Sequence, residues 1–124
     1  MKSRVIAFAA LLFMSSIFAI DAHATVLRVV TIQTDNVDAY LQELGRGQAL
    51  IKKLGGSAII RVWRARFAGP EAGMIVVSLE YPDMATFAGD EKKVTETADY
   101  QAWLKDLAKT RKVLSDSLYD ELKP

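Results

Sequence analysis

The chain has 124 residues, a formal net charge of +1, a single histidine and no cysteine. Its 16 Lys and Arg nearly balance its 15 Asp and Glu, so it carries no electrostatic footprint for nucleic acid or an anionic membrane. The length suits one domain with a modest core, and without cysteine neither disulfides nor thiolate chemistry are available to it.

The N-terminal segment reads as a secretion signal over residues 1–24. Lys2 and Arg4 form a positive head, and Val5–Ile20 is an uncharged run of small and apolar residues. Ala22, His23 and Ala24 then supply the small-x-small pattern that a signal peptidase cleaves after. The apolar run is shorter than the roughly 20 residues that span a bilayer. The expected product is a single domain over residues 25–124, periplasmic or secreted, with no membrane attachment after cleavage. Cleavage also removes His23, the only histidine.

Residues 25–34 read as a strand, with apolar residues on both parities. Asp35 is the expected helix N-cap, with Asp38 in the capping-box position. Val37, Tyr40, Leu41, Leu44, Ile51 and Leu54 then form one helical stripe, closed by Gly55 and Gly56. Gly45 and Gly47 are costly inside a helix, about 1 kcal/mol each against Ala. They are read as a kink or break, with close approach of the backbone to a ligand or partner as the alternative. Residues 57–68 are the second strand, 69–73 a turn, and Met74–Tyr81 the third strand, so these two form a hairpin. Pro82 and Asp83 open a helix carrying Met84, Phe87 and Ala88, which Gly89 and Asp90 weaken. A second helical piece begins near Asp99, with Tyr100, Trp103, Leu104 and Leu107 as its stripe. Residues 112–122 form the last strand, interrupted by Asp and Ser.

The order is strand, helix, strand, strand, helix, strand. This is the α+β ferredoxin-like βαββαβ arrangement, a four-stranded antiparallel sheet with helices on one face. The other face would be too apolar to stand open on a monomer. A second copy of the same sheet, facing the first across a two-fold axis, is the expected cover.

Four stretches carry a resemblance: the hairpin entry Arg61–Pro70, the exit Glu80-Tyr81-Pro82, the run Met84–Phe87, and the helix start Asp99–Trp103. Together they resemble the dimeric α+β barrel superfamily across the whole of residues 25–124. That resemblance implies a homodimeric barrel. It also brings into view cofactor-free antibiotic-biosynthesis-type monooxygenases, lactone isomerases, haem-degrading and chlorite-converting enzymes, and small proteins of unassigned role. Fold alone does not choose among them.

The residues narrow the chemistry. No cofactor and no metal site are expected. Zinc and non-haem iron sites use His or Cys, and the acids show no calcium-loop spacing. Asp90 and Glu91, the nearest acidic pair, read as solvated charge. Serine or cysteine nucleophiles lack a histidine base. Two constellations remain. The first is aromatic: Trp63, Phe67, Tyr81, Phe87, Tyr100 and Trp103. It is either core packing or the wall of an apolar pocket between sheet and helices for a flat molecule. The second is basic. Arg64 and Arg66 lie on the parity opposite Trp63 and read as seam or edge charges. Arg61 shares the parity of Trp63 and is the candidate to orient an anionic group.

The expected function is therefore an exported small-molecule-binding protein, with Arg61, Trp63, Phe67, Tyr81, Phe87 and Trp103 as ligand-binding residues. One alternative is a cofactor-independent monooxygenase or isomerase acting on a small aromatic or phenolic substrate, with Tyr81 or Tyr100 as proton donor. Another is a purely structural dimeric interaction module.

Overall fold

A computed structural model describes residues 24–124. The expected signal segment, save Ala24, lies outside the described residues. Strand β1 (Val26–Gln33) is followed by helix α1 (Val37–Lys53), strands β2 (Ile59–Arg64) and β3 (Ile75–Tyr81), helices α2 (Met84–Asp90) and α3 (Ala98–Ala108), and strand β4 (Lys112–Asp120). The sheet runs β2-β3-β1-β4 and every pairing is antiparallel. This is the ferredoxin-like order, with β1 and β3 central. Among the described residues no helix is long and apolar enough to cross a membrane.

Register fixes which side chains share a face. Val30 lies opposite Val77 and Ile32 opposite Ile75, and these four are buried against Tyr40 and Leu44 of α1 and Trp103 and Leu107 of α3. The alternate residues point to the other face, which no helix covers. There Leu27, Val29 and Val76 are half-buried, while Trp63 and Tyr119 are exposed. The apolar content on both parities thus has two destinations, one a core and the other an open sheet surface.

Local chemistry explains the boundaries. The N-cap of α1 is Asn36 rather than the expected Asp35. Asn36 holds the extended backbone of a cap, and its Oδ1 accepts from the Ala39 amide at 3.1 Å. Asp83 caps α2 by accepting from the Thr86 amide at 2.7 Å, as the Pro82-Asp83 signal predicts. Thr97 caps α3 through the Tyr100 amide at 3.2 Å. Gly55 takes φ +82 at the end of α1. From there its amide reaches Lys52 O and that of Gly56 reaches Ile51 O, a left-handed closure open to glycine.

Three expectations are corrected. Helix α1 runs unbroken through Gly45 and Gly47. Gly47 is instead a place of close approach. A Cβ there would lie 2.0 Å from Cζ2 of Trp103, whereas one on Gly45 would meet nothing within 4 Å. The second strand is shorter than residues 57–68. After Arg64 only the Ala65 pairing with Met74 and Gly73 continues the ladder, so Phe67 falls in the turn and is fully exposed. The second crossover has more pieces than expected: a π-helical turn, Glu91–Thr95, joins α2 to α3.

Candidate functional site

Between sheet and helices lies a cavity of about 90 Å³. Val30, Val77 and Leu79 form its floor, and Leu44, Trp103 and Leu104 its roof. Its side is set by strand parity, since the floor residues share the face of the buried core. Trp103 is fixed by packing on Gly47 and by its Nε1, which donates to Glu43 O at 2.9 Å. Tyr100 stands one helical turn earlier, its ring 5.4 Å from that of Trp103.

The rim of the cavity is charged. Arg28 sits on β1 in the parity of Val26 and Val30, where an unpaired charge would be costly. Its guanidinium donates to both oxygens of Asp116, Nε at 3.0 Å and Nη2 at 2.7 Å. Its Nη1 donates to Glu91 Oε1 at 3.3 Å. Asp116 faces Val30 across the β1–β4 pairing, while Arg28 faces Leu118. The pair is therefore a diagonal contact on one face of the sheet. Hydrogen bonding from Arg28 holds the Asp116 carboxyl below its ordinary range. The same bond raises the Arg28 pKa further. Arg28 is thus committed within the protein.

Two phenols stand beside it. Burial, with the Asp90 charge second, pushes Tyr81 up to about 12. Burial also raises Tyr100, with Arg28 opposing. Both therefore remain protonated donors at neutral pH. The Tyr81 ring meets Phe87 edge-on at 5.1 Å. Asp90 is buried, not the solvated charge expected. Its Oδ2 accepts from the Ser57 amide at 2.7 Å and so ties α2 to the segment that leads into β2.

The residues expected to form one site are therefore split. Tyr81, Phe87 and Trp103 lie on the helix side, together with Tyr100. Arg61 and Trp63 lie on the open face, and Phe67 belongs to neither. The reason is register: Trp63 pairs with Val76, and Tyr81 is an odd number of residues from Val76, so it points the opposite way. Arg61 cannot orient an anion in the cavity. It is ion-paired with Glu80 at 2.8 Å across the open face, beside Trp63, whose Nε1 donates to Ser78 Oγ at 2.9 Å.

Arg28, Asp116, Glu91 and Arg111, the last of which also lines the cavity, were not among the expected site residues. A signal existed for the first two: Arg28 is the lone charge on the core parity of β1, and Asp116 interrupts β4. A charge on a core parity calls for an opposite one nearby. Among the described residues no cluster of His, Cys, Asp or Glu is arranged to hold a metal ion.

No protein-family model matches the chain. No curated protein matches it either. Solved structures do. An uncharacterised NIPSNAP-like domain protein from Burkholderia xenovorans aligns with TM-score 0.62 at 14% identity, over 83% of this chain and 87% of that one. A NIPSNAP family protein from Agrobacterium tumefaciens aligns with TM-score 0.62 at 17% identity, over 82% and 87%. SnoaB, a cofactor-independent oxygenase from Streptomyces nogalater, aligns with TM-score 0.62 at 12% identity, over 82% and 96%. What this chain shares with these neighbours is the fold, the ferredoxin-like α+β arrangement.

Proposed function

We propose that the protein binds a small, largely apolar molecule with a single ring in the cavity between sheet and helices. The observation that carries this reading is an apolar hollow with polar groups at its rim, the usual make-up of a ligand site. At about 90 Å³ it is small. A closed cavity of about 150 Å³ accepts benzene, so a single ring fits here only if half-buried Leu104 and Ile60 give way to widen the hollow. Benzamide, a neutral one-ring probe, should shift the indole N–H resonance of Trp103 in a saturable way. A cavity-filling Leu44→Phe substitution should abolish that shift. Movement of the Trp63 indole alone would transfer binding to the open face and refute the reading.

The second reading is catalysis without a cofactor. It is favoured by the likeness to SnoaB and by two protonated phenols, Tyr100 lining the cavity and Tyr81 in the adjoining hollow beside Arg28 and Glu91. Under it, small phenolic or quinol compounds are converted in the presence of oxygen, and a Tyr81→Phe, Tyr100→Phe double variant is slower. Equal rates would remove the tyrosines from the mechanism.

We further propose export, with cleavage after Ala24, and a homodimer in which two open sheet faces meet. The charged head, the apolar run and the small-x-small cut support the first. An intact mass lacking residues 1–24 in exported protein is the expected result, and full-length chain in the cytosol would overturn it. The apolar open face supports the second.

A further inference from the structure

Two buried polar atoms among the described residues have no hydrogen-bond partner: the Tyr40 hydroxyl and Arg111 Nε. Buried polar groups are nearly always paired, and an unpaired one costs on the order of 1–3 kcal/mol. Here the two belong to neighbours. Arg111 acts on the Tyr40 phenol by its charge and by side-chain proximity, both opposing the upward push of burial, but the contact falls short of a well-formed hydrogen bond.

Arg111 differs from every other arginine near the cavity. Arg28 is held by two carboxylates, whereas Arg111 makes no ion pair among the described residues. Asp116 feels its charge without bridging to it. The Arg111 backbone is also firmly placed. Thr34 Oγ1 donates to Thr110 O at 2.6 Å, and Thr110 Oγ1 donates to Leu107 O at 2.7 Å. From that position Arg111 lines both the apolar cavity and an open cleft shared with Lys109 and Lys112. Tyr40 is completely buried.

We infer that the cavity takes an organic anion, a carboxylate or phenolate on a one-ring body, with its charged group seated on Arg111, which lines the cavity and has no carboxylate partner among the described residues. This rests on the proposed ligand site and specifies its chemistry. The guanidinium supplies charge-assisted donors. The apolar walls take the ring. Arg28, already satisfied, fixes the geometry of the rim and leaves the anion to Arg111.

The test compares sodium benzoate with benzamide at fixed ionic strength. Binding is followed by NMR at the Arg111 Nε–H and the Trp103 indole N–H. Benzoate should shift both saturably and bind at least tenfold more tightly. Arg111→Gln should erase that preference, and Arg111→Lys, which keeps charge but loses the fork, should keep part of it. Equal affinity of the two probes in the unmutated protein would overturn the inference without needing a variant to fold, while leaving the ligand cavity intact. A preference that survives Arg111→Gln, or benzoate shifts confined to Lys109 and Lys112, would overturn it as well. Binding of neither probe would overturn both the inference and the cavity reading beneath it.

Discussion

At the scale of single residues, Gly45 and Gly47 show how the same residue in one helix can serve opposite ends. Both weaken α1 intrinsically. Only Gly47 has a reason, because the Trp103 ring occupies the space a Cβ would need. Gly47→Ala should therefore destabilise by about 1–3 kcal/mol through overpacking. Gly45→Ala should stabilise by about 0.5–1 kcal/mol. Urea unfolding of the two variants checks this pair, and equal shifts would refute the assignment. Arg28 and Asp116 make a second residue-scale case. The Asp116 carboxyl titrates below its unfolded value, so its contribution is present above about pH 4. That contribution is lost as pH falls through the lower folded value. Asp116→Asn should cost about 1 kcal/mol at neutral pH, limited by partial exposure. It should also flatten the acid limb of stability against pH. An unchanged acid limb in thermal unfolding would show that the pair contributes nothing measurable.

At the scale of elements, the order and type of the strands were legible because apolar runs, Gly-Pro punctuation and caps agree along the chain. Asp83 and the Gly55-Gly56 closure are where local chemistry and fold coincide. The N-cap of α1 was displaced by one residue because Asp35 and Asn36 are both good caps. The choice depends on Thr34, whose hydroxyl accepts from the Asn36 amide and donates across to Thr110, a contact spanning the fold. The site was less legible. Parity within β2 correctly placed Arg61 with Trp63, but only the β2–β3 register says which face they share with β3. Without it, Arg61 and Trp63 were placed on the helix side with Tyr81, whereas they lie on the open face. Phe67 was misplaced because strand alternation was extended past Arg64, where the chain has already begun to turn. Arg111 and Tyr40 had no local signal. Their significance comes from being unpaired, which exists only once the chain is folded.

At the scale of the molecule, the proposed homodimer depends on the open sheet face. Leu27, Val29, Val76, Trp63 and Tyr119 lie on it, and its charges Arg61 and Glu80 neutralise each other within the chain. A face of this kind has apolar area and no net repulsion against its own copy, which suits a two-fold contact. Its longest strands have eight or nine residues. Four strands of about that length cover roughly 26 Å by 19 Å, on the order of 500 Å². That is below the roughly 800 Å² per partner of a standard interface. Affinity then depends on the quality of the central contacts and little on the rim. Light scattering should give about twice the chain mass at micromolar concentration. Val29→Glu places a charge in the middle of β1 on this face, away from the core. It should yield a monomer with the same helical content by circular dichroism. Arg61→Gln, at the edge strand, should leave the dimer mass unchanged. A clean monomer in the unmutated protein would refute the sheet-to-sheet dimer. A dimer that persists in Val29→Glu would move its contact elsewhere on the surface.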